Sequence, residues 1–208
     1  MTFLRAIGVA SLLAVSCFAE FKVQPAGAPP AEAAAVASSL VKDGVKVLKD
    51  DGSVLLEMWV VAAEPKGGAA EQNTTWSSVG HGSLLGVVKY PTRASDRRGQ
   101  TIKPGTYTMR YSYFPMNGDH QGVAPQRDFA VLSPAAADTD AAAKPAFDAL
   151  VEMSRKASGT PHPLVLSIWK DDGGITQGIE AAGETDQVLH VKVGSTTLSV
   201  IVVGKYEG

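Results

Sequence analysis

The chain has 208 residues, of which 45% are hydrophobic and 19% charged, and its formal net charge is −2. That balance belongs to a globular domain with a real core rather than to a disordered chain. A mildly acidic chain without a basic run lacks the electrostatic footprint for nucleic acid or for an anionic membrane surface, so neither is expected as a partner.

The first nineteen residues read as a signal peptide. Arg5 supplies one positive charge, Ala6 to Val15 an apolar stretch, and Ser16-Cys17-Phe18-Ala19 the small residues before a cut ahead of Glu20. The expectation is an exported chain, periplasmic or extracellular. Cys17 is the only cysteine, so the exported part has no disulfide and must be stabilised by packing. Ala14-Val15-Ser16-Cys17 also loosely resembles the bacterial lipoprotein box, which would leave the chain lipid-anchored through Cys17. After the leader no run of about 18 apolar residues remains, and no transmembrane segment is expected in the mature chain.

Residues 20–43 read as a linker with a short helix. Pro25 to Pro30 is rich in Ala, Pro and Gly, and Ala31 to Leu40 places Val36 and Leu40 on one helical face, with Pro30 before the first turn. A single β-domain is expected over 44–208. Val45 and Val47 alternate with Lys46. Asp50-Asp51-Gly52 signals a tight turn, and Val54 to Val61 follows as an apolar strand broken only by Glu57. The connection Glu64–Gly82 is polar and long for a compact domain, which points to a functional or mobile segment. Leu84 to Tyr90 is a third strand. Thr106 to Phe114 is the clearest one, with Tyr107, Met109, Tyr111 and Tyr113 on one face and Thr106, Thr108, Arg110 and Ser112 on the other. Asp128 to Leu132 follows a second polar loop. Lys144 to Ala157 has the apolar spacing of a helix, ended by Ser158-Gly159 and Pro161. Leu164 to Trp169, Val188 to Val193 and Thr197 to Val203 complete the strands, the last two forming a hairpin across Gly194-Ser195.

No alternation of strands with helices is present, which argues against a doubly wound parallel sheet. An antiparallel sandwich or barrel is the natural closure. The fold expected is mainly β: an antiparallel β-sandwich, immunoglobulin-like or jelly-roll-like, with one inserted helix near 144–157. Gly99-Gln100-Thr101-Ile102-Lys103-Pro104-Gly105-Thr106-Tyr107-Thr108 and Arg127-Asp128-Phe129, within residues 86–134, resemble segments of exported bacterial β-sandwich proteins of unassigned function. The resemblance implies a bacterial exported β-domain and supplies no activity, ligand or catalytic residue.

The sequence contains no Cys-x-x-Cys, His-Glu-x-x-His, phosphate loop or Gly-x-Ser-x-Gly elbow. Gly80-His81-Gly82-Ser83 lacks that elbow's spacing. Ser39-Leu40-Val41-Lys42 matches a Ser-x-x-Lys pattern without its companion motifs. Four histidines remain, and His81, His120 and His162 sit in loops rich in Gly and Pro. Convergence of these three would make a copper or zinc site, with Met116 as a soft ligand beside His120. Asp119, His120, Arg127 and Asp128 form the candidate ligand-binding cluster on the 115–128 loop, with Trp76 on the Glu64–Gly82 connection as the aromatic to watch. Paired carboxylates there suit acid/base work if one is buried, but the favoured role of Arg127 and Asp128 is to anchor the loop by hydrogen bonds to backbone. Tyr107, Tyr111 and Tyr113 invite a sugar-stacking role, but their period of two suits a core. The function expected is a non-enzymatic binding or interaction module of the cell envelope, meeting an envelope protein or a small ligand. The alternatives are a metal-binding protein using His120 and a hydrolase using an Asp/His pair.

Overall fold

A computed structural model describes residues 21–69, 71–116 and 126–206. The leader, Cys17, Asp119 and His120 lie outside the described residues. The strands are β1 (Lys22–Gly27), β2 (Gly44–Leu48), β3 (Val54–Val60), β4 (Leu84–Tyr90), β5 (Ala94–Ser95), β6 (Thr101–Ile102), β7 (Gly105–Tyr113), β8 (Asp128–Pro134), β9 (Leu164–Asp171), β10 (Gly178–Ala182), β11 (Asp186–Val193) and β12 (Thr196–Val203). The helix α1 spans Phe147–Ser158. Ten strands form one antiparallel sheet in the order β1-β2-β3-β4-β7-β8-β9-β12-β11-β10, and β5 pairs with β6 apart from it.

The mainly β, antiparallel class with one helix is as expected. The two-sheet arrangement of a sandwich is not what the ladder draws. It runs unbroken, because β9 pairs with β8 on one side and β12 on the other. The sheet curls until β1 lies near β10, almost closing a barrel. Alternation along a strand tells which face is buried, not which strand comes next, so it serves a sandwich and a barrel equally well.

The inner face carries Val47, Leu56, Val88, Met109, Leu132 and Val200 in one cluster. Tyr107 and Tyr111 join it at 5% and 1% exposure, which makes them core side chains rather than a sugar platform. On the outer face Glu57 meets Lys46 at 3.6 Å, resolving the one charge in a greasy strand. Trp169 is half-buried on the outer face opposite Ser199.

Three local departures have physical causes. Residues 22–27, read as part of a linker, form edge strand β1 paired with β2. An edge accepts Pro25, which has no N–H to give. The Trp59 indole donates to the Gly27 carbonyl at 2.7 Å and fixes the strand's end. Residues 31–40 form two 3-10 turns, Ala31–Ala33 and Ala37–Ser39, rather than a helix. Val36 and Leu40 are still buried together. The helix begins at Phe147 rather than Lys144, because Pro145 disfavours helical backbone at the residue before it. At its other end Gly159 takes φ +67° and donates to the Arg155 carbonyl at 2.8 Å.

The chain from β8 to β9 crosses the outer face. A 3-10 turn at Ala135–Ala137 and the following loop cover β7, and α1 packs Leu150 on Phe129, Val131 and Val165. Ser154 pins the helix by donating to the Leu132 carbonyl at 2.6 Å and accepting from the Leu164 N–H at 2.9 Å.

Candidate binding cleft

The crossover does more than cover the sheet. Between its residues Ala141–Lys144 and the ends of β3 and β4 lies a cleft of about 460 Å³. Val61, Ala62, Pro65 and Lys66 line one side, Ser38 and Ser39 another, and Ser83 and Leu84 its base. Its polar side chains belong to the three serines, Lys66 and Lys144, the Lys144 ammonium donates to the Lys66 carbonyl at 3.0 Å, and no acidic residue lines it among the described residues. Ser83 is 2% exposed, and its Oγ has no hydrogen-bond partner among the described residues. A buried hydroxyl normally finds a partner.

Arg110 sets the width of this cleft. It is fully buried, and its guanidinium faces the crossover. Nε and Nη2 grip the two carboxylate oxygens of Asp138 at 2.6 and 2.7 Å. Nη1 donates to the carbonyls of Gly82 at 2.7 Å and Ala143 at 2.5 Å, and Nη2 to that of Asp140 at 2.6 Å. All of its donors are used. Gly82 and Ala143 are neighbours of the lining residues Ser83 and Lys144, so one planar fork holds both walls at a fixed separation. The glycines of Gly80-His81-Gly82-Ser83 now have a role. A Cβ on Gly82 would lie 2.6 Å from the Pro145 carbonyl oxygen, and its φ of +76° favours glycine. The motif is a close-packing device that brings Ser83 to the cleft. Ser39 lines the cleft too, but its sequence partner Lys42 is exposed and outside it, so the Ser-x-x-Lys pattern assembles no dyad.

The sequence-predicted residues Trp76, Arg127 and Asp128 do not line the cleft. Trp76 is fully buried, and its indole donates to Glu64 Oε1 at 2.7 Å. The Glu64 carboxylate also accepts from Ser78 at 2.9 Å and Thr196 at 2.9 Å. Desolvation pushes this carboxyl up, but the three donated bonds and the Lys170 charge outweigh it and leave it below the ordinary carboxylate range. Asp128 is fully buried and accepts from the Tyr111 hydroxyl at 2.6 Å and from the backbone N–H groups of Thr75 at 2.8 Å and Trp76 at 3.3 Å. Burial, followed by that bond to a carboxylate, raises the Tyr111 phenol far above its usual value. Arg127 donates to the carbonyls of Gln72 at 2.6 Å and Phe114, meets Glu71 at 3.5 Å, and lies 4.8 Å above the Tyr113 ring. Of the roles weighed for Arg127 and Asp128, these are the contacts of anchors. They pin the Glu64–Gly82 connection, whose two ends flank the cleft.

The histidines do not converge among the described residues. The His81 ring bonds the Pro145 carbonyl, its Nε2 is buried without a hydrogen-bond partner among the described residues, and its ring centroid lies 6.0 Å from those of Tyr113 and Phe147. Desolvation holds His81 below the usual imidazole value against that bond. His162 is exposed. His190 is buried, 2.8 Å from Ser199 Oγ and 3.3 Å from a Glu180 oxygen. No group of three metal-ligating side chains forms among the described residues, so His81 and His162 supply no copper or zinc site there. Asp119 and His120 lie outside that set.

Sequence reasoning missed Glu64, Ser83, Asp138 and Lys144, and it placed Arg110 on the face opposite the tyrosines without giving it a partner. A signal did exist. Asp138 and Asp140 are the only charges in Pro134–Ala143, and an acid in an alanine-rich run matches an arginine on the clearest strand. Comparison with protein-family models, curated proteins and solved structures finds no match to this chain.

Proposed function

We propose that this chain is an exported, non-enzymatic binding domain of the bacterial cell envelope whose cleft takes a small organic anion with an apolar body. The observation that carries the reading is the cleft's lining: two lysines, one of them tethered to the other's carbonyl, an unpartnered buried serine hydroxyl, apolar walls and, among the described residues, no acid. Its volume of about 460 Å³ falls within the range of roughly 300–1,000 Å³ used by small-molecule sites. The Arg110 clamp supports the reading as well, since a cleft with fixed walls loses less entropy when it is filled. Neither Ser39 nor Ser83 shares the cleft with a histidine or carboxylate to act as general base. Export rests on the order of charge, apolar run and small residues in 1–19.

The test is calorimetric titration and thermal shift with short and medium-chain carboxylates, each set against its neutral amide. The carboxylates should bind and raise Tm, the amides should not, and Lys66→Glu with Lys144→Glu should weaken binding by about tenfold or more. Equal binding of amide and carboxylate, or no binding of either, overturns the reading. Turnover of an ester panel that is lost in Ser83→Ala would replace it with a hydrolase.

A further inference from the structure

A second concavity lies on the far side of α1, where the helix meets β8 and β9. Its volume is about 180 Å³, well short of the range of about 300–1,000 Å³ that whole small-molecule ligands occupy. Phe114 and Phe129 form its floor, stacked with centroids 4.7 Å apart, and Phe147, Val151 and Val165 form its walls. Arg98, Arg155 and His162 are its charged or ionisable lining residues, and no acid lines it among the described residues. Phe147 is 45% exposed. Met116, which directly follows the lining residue Pro115, is 59% exposed. They are two of the three large apolar side chains left exposed among the described residues.

We propose that this pocket is a docking site for an extended segment of a partner protein, one that inserts a single large apolar side chain and flanks it with acidic residues. The size admits one side chain and not a drug-sized molecule. Aromatic residues, Met and Arg are the residue types enriched where protein interfaces concentrate their binding energy. Charge complementarity selects the flanks. Arg155 donates through Nε to the Pro161 carbonyl at 2.7 Å, which fixes its direction and leaves its outer N–H groups for a carboxylate. Its contact with Glu152 is 3.7 Å between two well-exposed groups, an ion pair weak enough for an incoming acid to replace. The stacked floor is already formed, so the anchor side chain enters a prepared slot. The proposal rests on observations separate from the cleft and stands whether or not the cleft binds an anion.

The probe is the capped pentapeptide Ac-Asp-Glu-Phe-Glu-Asp-amide, followed by amide chemical shifts of the labelled protein. Shifts at Phe129, Val151 and Val165 are expected, with affinity falling as salt is added. Replacing the central Phe by Ala should weaken binding about tenfold or more, and replacing the acids by Lys should abolish it. Arg98→Glu, a rim change, should also cost about tenfold. Phe147→Ser, on an exposed helix start, gives a second variant that leaves the core alone and should weaken binding as well. Equal binding of the Phe and Ala peptides, a preference for the Lys peptide, or no shift at those amides up to about millimolar peptide overturns the proposal. So would phenylacetate saturating the pocket as tightly as the peptide, which would make it a small-molecule site.

Discussion

Arg110 under the crossover and Arg127 just before the start of β8 perform similar tasks by different physics. Each holds a stretch of irregular chain against a strand through backbone carbonyls. Arg110 is fully buried, pairs with a buried carboxylate, and spends every donor on protein oxygens. Arg127 keeps 12% of its side chain in solvent, shares Glu71 at 3.5 Å, and rests on a tyrosine ring. In the first region removal of one partner strands an ion in a dry interior. In the second, water can replace what is lost. The cleft is built on the first region, where position is held most stringently.

The widest separation between the two is expected from their alanine substitutions. Arg110→Ala leaves Asp138 buried and unpaired, and the loss should be about 3–5 kcal/mol. It also frees Gly82 and Ala143 from their common donor, so cleft binding should fall even where the chain stays folded. Urea unfolding gives the first quantity and carboxylate titration the second. Arg110→Ala that unfolds like wild type would show that the clamp is not what holds the walls. Arg127→Ala loses two backbone hydrogen bonds and a cation–π contact at a wet site. It should cost roughly 1–2 kcal/mol, with cleft binding unchanged. A larger loss for Arg127 than for Arg110 would reverse the comparison.

Much of the sheet was legible because its rules are local. The Asp50-Asp51-Gly52 turn, the alternation through Thr106–Phe114 and the apolar run Leu84–Tyr90 each specify a strand without reference to the rest of the chain. The edge strand Lys22–Gly27 was not legible, because Pro25 argues against a strand unless one knows it lies at an edge. The cleft was hidden for a different reason. Arg110 and Asp138 are 28 residues apart, and their meeting depends on the crossover folding back over β7. Alternation placed Arg110 on the face opposite the tyrosines and went no further, since a face away from one core can still be covered by another segment. Trp76 and Asp128 were singled out from their types and positions, and both proved central to the packing of the connection. Their contacts are those of anchors, which residue type alone does not distinguish from ligands.

The smallest expected effect concerns the residue that touches both regions. His81 bonds the Pro145 carbonyl of the crossover and faces Tyr113, the ring under Arg127. Desolvation lowers its folded-state pKa below the ordinary 6.5. The folded chain therefore takes up this proton less readily than the unfolded chain. Its contribution to stability is complete above the unfolded value and declines as pH falls from there toward the folded value. Glu64, also lowered, acts in a separate window that opens only as pH falls below about the ordinary carboxylate value of 4.5. Urea midpoints measured from about pH 7.5 down to about 5 should thus decline in wild type and flatten in His81→Gln, with a change smaller than either arginine substitution produces. An undiminished slope in His81→Gln would assign the decline to another group and remove His81 as the link between the crossover and the Arg127 site.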